Sequence, residues 1–144
     1  MKCPKCSQRM TRRAYEHVTR VGGYTVTDAS GMIETCVECG EGSLTSDELA
    51  GYERRAARLI LTEGVRVGGA VLRYARAALG LRQRDLARIL RRNDQQISRD
   101  EHSEDLPMDL RLAVAELIER VQRGESLDRV GASEGNTLQI SRAS

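Results

Sequence analysis

The sequence predicts an α+β chain: a small β-rich unit bracketed by cysteines, with a helix after it, linked to an all-α unit. Three observations carry this. All four cysteines fall in two Cys-x-x-Cys pairs, Cys3/Cys6 and Cys36/Cys39, around a stretch rich in β-branched and tyrosyl residues. From Thr45 onward apolar residues recur at helical spacing. The 144 residues include no Trp or Phe and only four Tyr, so two small cores, one of them stapled, are expected in place of one large one.

In chain order, Tyr15–Val21 and Tyr24–Thr27 read as strands around Gly22-Gly23, a two-residue hairpin turn. Ser30-Gly31 reads as a second turn before Met32 and Ile33, and Cys39-Gly40 closes the second cysteine knuckle. Thr45-Ser46-Asp47-Glu48 is a capping box with two acids in the first turn. Its helix places Leu49, Tyr52, Ala56, Leu59 and Ile60 on one face and fades at Thr62-Glu63-Gly64, a linker. Further helices follow over 70–79, stopped by Gly80, over Gln83–Leu90, and over Asn93–Glu101, where only Ile97 is an apolar anchor. Pro107 opens a longer one to about Val121. The resulting division is 1–62, 66–122, and a Gly-, Ser- and Glu-rich tail, 123–144, expected to be mobile.

Charge is unevenly placed. Residues 54–99 carry twelve arginines against Glu63, Asp85 and Asp94, while both flanks are net acidic. A basic middle of this kind is the electrostatic footprint of a phosphate-binding surface. Met1–Cys6 carries no apolar signal stretch and no run reaches membrane-spanning length, so a cytoplasmic chain without membrane contact is expected.

Two pairs separated by 29 residues can set four thiolates tetrahedrally about one zinc. Four sulfur ligands leave no open position, so the expected Zn2+, one per chain on Cys3, Cys6, Cys36 and Cys39, is structural. A thioredoxin-like redox pair would need one such motif beside a βαβ unit, which the pattern lacks. His17 as a ligand has no pairing motif and reads better as a solvent-facing histidine. No Ser/His/Asp or Cys/His arrangement and no glycine-rich nucleotide cradle is apparent, so the chain is not expected to be an enzyme.

A short helix, a tight turn and a second, polar helix over Gln83–Glu101 form a helix-turn-helix pattern. The bland alternative is a helical bundle with one solvated polar helix; the local arginine excess favours DNA. Gln95, Gln96 and Arg99 are the expected groove-reading residues, since Gln pairs with adenine and Arg with guanine. Gln83, Arg82 and Arg92, at helix starts, are expected to meet phosphates. A single module buries too little for tight specific binding, so a homodimer on half-sites about one helical turn apart is expected. Leu110, Val114, Leu117 and Val121 are its expected interface.

The ribbon signature, Cys-Pro-x-Cys at 3–6 and Cys-x-x-Cys-Gly at 36–40, followed by Leu81–Leu90 and Ile97–Pro107, resembles the MqsA-type antitoxins of bacterial type II toxin–antitoxin systems over roughly 1–122. That resemblance implies a zinc ribbon that docks a small RNA-cleaving toxin and a Cro/repressor-type domain that binds a palindrome in the chain's own promoter. It carries base reading to Gln95 and Arg99. A stand-alone regulator without a toxin is the alternative. The chain departs from the pattern at Arg82, where a Ser or Thr cap is usual, at Arg91-Arg92, where Gly and an apolar residue are usual, and at Asp100, where an aromatic is usual.

Overall fold

The computed structural model describes residues 2–127. It is α+β: a three-stranded antiparallel sheet, β1 (Met10–Val21), β2 (Tyr24–Cys36) and β3 (Gly42–Ser43), followed by five helices. The helices are α1 (Ser46–Glu63), α2 (Gly69–Ala78), α3 (Gln83–Leu90), α4 (Asp94–Asp100) and α5 (Met108–Gln122).

The Gly22-Gly23 turn holds both residues at positive φ, 57° and 84°, as a tight hairpin with the right twist requires. Val21 pairs with Tyr24 and Met10 with Cys36, so the cysteine knuckles and the turn occupy opposite ends of the hairpin, roughly 35–40 Å apart at about 3.4 Å per residue. Ser30-Gly31 is not a turn but part of β2. Between the pairs Tyr15/Gly31 and His17/Asp28, β1 spends one residue and β2 spends two, a β-bulge. Asp28 accepts from the Ser30 amide and hydroxyl, which satisfies the bulge locally. The extra residue switches the inward parity of β2, so that Val26 and Asp28 before it and Gly31 and Ile33 after it share one face with Tyr15, His17 and Thr19.

α1 crosses that face. Its Thr45 capping box forms as expected, with Thr45 Oγ1 accepting from the Glu48 amide and Glu48 accepting from the Thr45 amide, both at 3.0 Å. Its apolar face is rotated from the expected one: Tyr52, Ala56, Ala57, Ile60 and Leu61 are buried, whereas Leu49 and Leu59 are more than 40% exposed. Tyr52 sets the rotation. It stacks on His17 at 4.6 Å and meets Tyr15 edge-on at 6.0 Å, under the guanidinium of Arg55. A Cβ on Gly31 would lie 1.7 Å from the Tyr52 hydroxyl, so this approach needs glycine. His17 is therefore partly buried against α1, and the solvent-facing reading does not hold.

The main core lies among α1, α2, α3, α4 and α5, centred on Leu61, Leu72, Leu86, Ile97, Leu110, Leu117 and Ile118. It runs across residues 62–66. α1 continues to Glu63, Val67 is fully buried, and the buried Arg111 of α5 donates to the carbonyls of Leu61 (2.8 Å) and Gly64 (2.6 Å). Its guanidinium caps the negative end of α1. The expected linker is thus a packed corner. The hairpin tip joins it: Val21, Tyr24 and Val26 pack on the helical core, and the Tyr24 hydroxyl donates to the Arg66 carbonyl at 2.7 Å.

α3 ends in a left-handed cap. Arg91 has φ +55° while the Arg92 amide reaches back to the Ala87 carbonyl at 2.8 Å, a cap usually served by glycine. For a residue with a Cβ that conformation costs roughly 1–2 kcal/mol. In the expected tail, Leu127 packs on the helical core; residues 128–144 lie outside the described residues.

Candidate metal centre and helix-turn-helix surface

The two knuckles are built alike. In the first, the Ser7 amide donates to the Cys3 carbonyl at 2.8 Å, and Ser7 sits at φ 63°. In the second, the Gly40 amide donates to the Cys36 carbonyl at 3.1 Å, and Gly40 sits at φ 74°. Each turn therefore closes on a left-handed residue just after its second cysteine. The hairpin pairs Met10 with Cys36 and brings the knuckles together, and buried Met10 packs beneath Cys3 and Cys36.

The four Sγ atoms all lie within 4.8 Å of one another, with Cys6–Cys36 at 3.4 Å, Cys3–Cys39 at 3.7 Å and Cys6–Cys39 at 3.8 Å. Tetrahedral thiolates at a metal–sulfur distance of about 2.3 Å would stand about 3.8 Å apart. All four cysteines are free. The set therefore fits one metal ion. The thiols share protons unequally. Cys36 is held down to about 7, first by the Cys39 backbone N–H working against burial, then by the Glu38 N–H and the Cys6 thiol. At Cys6 the Gln8 backbone N–H lowers the value, but hydrogen bonding to Cys36 and burial outweigh it and push it up to about 12.

α3, the turn and α4 follow the expected boundaries, and Asn93 caps α4 by accepting from the Gln95 amide at 2.7 Å. Gln95 and Arg99 are exposed on α4. Gln96 is half-buried, donating to Asp100 at 3.1 Å and accepting from Arg99 at 2.7 Å. Asp94 is exposed; Asp100 is buried and takes Gln96 as its partner, with no arginine beside it among the described residues.

The three expected phosphate contacts are engaged within the chain. Arg82 has no side-chain acceptor to offer as a cap. Instead Asp85 accepts from its backbone amide and its guanidinium, both at 3.0 Å, which draws the Asp85 carboxyl down to about 2. Arg92 pairs with Asp109 at 2.8 Å, bracing the start of α5. Gln83 donates to Glu101 at 3.0 Å. Glu101 is the residue sequence reasoning missed. Its side chain is fully buried, yet it accepts from Arg76 through two nitrogens, at 2.5 and 3.1 Å, and from Gln83, with Arg73 at 3.7 Å. One carboxylate therefore ties α2, α3 and the end of α4 together. Burial by itself would raise its pKa, but these donors outweigh burial and lower it.

Three of the four residues expected at a two-fold interface are not free for it. Leu110, Val114 and Leu117 are each 0% exposed inside one chain, so they cannot also line a contact between two. Val121 is half-buried and lines a cavity of about 710 Å3 between α1 and β2. The apolar side chains left exposed beside the start of α5 are Val65 and Met108. No helix among the described residues is long and apolar enough to cross a membrane. No protein-family model matches this chain, and no curated protein matches it.

Proposed function

We propose that the chain is a metal-stapled, DNA-binding regulator: the four thiolates hold one structural Zn2+, and α4 reads the major groove. The observation that carries the reading is the surface of α4. Gln95 and Arg99 stand exposed on a helix that buries Ile97 below and is fixed at its C-terminus by the Glu101 network. Exposed Gln and Arg on a rigid helix, in a segment with twelve arginines and three acids, suit base edges flanked by phosphates. For Arg99, engaging a guanine means exchanging Gln96 for the base. Four sulfur donors leave the metal no place for a water, so its role is to supply folding free energy at the knuckle end of a hairpin poor in large apolar side chains.

Palindrome reading calls for two copies. In this reading they meet through side chains that one copy leaves exposed, Val65 and Met108 beside the α4–α5 connection, in place of the core face of α5. Within this class the resemblance to MqsA-type antitoxins favours autorepression of the chain's own promoter, with a small RNA-cleaving toxin docked on the ribbon. The test is co-expression with the neighbouring reading frame. Co-purification of a small basic protein, with growth restored when both are made, supports an antitoxin. A neighbour that neither binds nor inhibits growth leaves the stand-alone regulator.

A further inference from the structure

We infer that Arg91 is a phosphate-binding residue of the DNA surface, kept in a strained backbone conformation for that purpose; the inference rests on the helix-turn-helix reading and names a contact within it. Arg91 occupies the left-handed cap of α3 at φ +55°, a position where glycine carries no Cβ penalty. Nothing in the fold repays an arginine there. Its side chain is exposed, and among the described residues it makes no hydrogen bond or ion pair. Of the arginines around it on α3, the turn and α4, Arg84 is likewise exposed and unpaired among the described residues, whereas Arg82 and Arg88 face Asp85, Arg92 faces Asp109, and Arg99 holds Gln96. An unpaired guanidinium loses nothing to an internal partner when it meets a phosphate, whereas Arg92 must first leave Asp109. Strain retained where a strain-free residue would serve the fold points to function. The turn leads directly into α4, so a charge here lies beside the groove that α4 enters, where the DNA backbone runs.

Stability and binding therefore separate at this residue. Probes are a 200-bp duplex from upstream of the chain's own gene and a random-sequence duplex of equal length. Arg91→Gly is expected to raise the thermal midpoint by roughly 3–6 °C. It is also expected to weaken both duplexes and flatten the salt dependence by about 0.9 in log–log slope per chain. Arg91→Gln should lose the same slope without the gain in midpoint, and Arg91→Lys should keep the wild-type slope. Wild-type binding with an unchanged slope in both Arg91→Gly and Arg91→Gln overturns the inference and leaves the helix-turn-helix reading standing. Failure of the wild type to bind either duplex overturns both.

Discussion

Replacing Glu101 by Gln keeps the shape of the side chain and removes only its charge. The carboxylate is fully buried and accepts two hydrogen bonds from Arg76 and one from Gln83. Breaking one partner of a buried, hydrogen-bonded ion pair costs about 3–5 kcal/mol. Arg76 is only 18% exposed, so the orphaned guanidinium finds little solvent, and about 3 kcal/mol is expected for the isosteric change. That is roughly a 150-fold loss in folding constant, a large share of a typical stability of about 5–15 kcal/mol. Urea unfolding at pH 7 should show it as a lower midpoint with the same slope. The pH dependence supplies a second signature. The folded carboxyl titrates below its ordinary value of 4.5, because its donors outweigh burial. A depressed folded pKa contributes stability that is complete above the unfolded value and is lost as pH falls through the folded one. The gap between wild type and Glu101→Gln should therefore be constant at neutral pH and close below about pH 4. A cost under about 1 kcal/mol, or a gap unchanged down to pH 3, would refute the network as the tie between α2, α3 and α4.

Metal analysis should find one zinc per chain, absent from Cys36→Ser. Loss of zinc should collapse amide dispersion around residues 2–10 and 36–43 while the hairpin tip, docked on the helical core, keeps its signals; intact knuckles in a metal-free chain would contradict a stapling role. Val65→Asp combined with Met108→Asp should give folded monomers in sedimentation velocity, since both side chains are exposed, and a persisting dimer would move the two-fold elsewhere. Leu117→Asp, by contrast, should cost several kcal/mol and unfold the chain, because it buries a carboxylate without a partner.

Local signals in the sequence carried far. Gly22-Gly23, the Thr45 capping box, Gly80 and the Asn93 cap each satisfy a backbone need within a few residues, and the structure has a turn or helix end at each. The Cys-x-x-Cys spacing likewise specified a thiol cluster that the hairpin assembles. What failed depended on neighbours distant in the chain. Ser30-Gly31 has turn composition, but Tyr52 of α1 occupies the space over Gly31, and a bulge inside a long strand is the outcome. The apolar stripe of α5 signals burial without saying against what; α1 and α2 of the same chain use the surface assigned to a second copy. Glu101 and Arg111, charged residues in a sequence rich in charge, gave no sign that they would be buried, because their partners lie 18 to 50 positions away.

The most direct measurement is a salt titration of wild type and Arg99→Ala on the upstream duplex and on a scrambled duplex of the same composition. Arg99 is exposed on α4 and assigned to a base edge, so its loss should weaken the upstream duplex by about 1–3 kcal/mol per half-site, roughly 5- to 150-fold. The scrambled duplex, held through phosphates, should lose far less. Equal weakening of the two duplexes, or no binding of either by the wild type, would contradict the assignment of α4 as the reading helix.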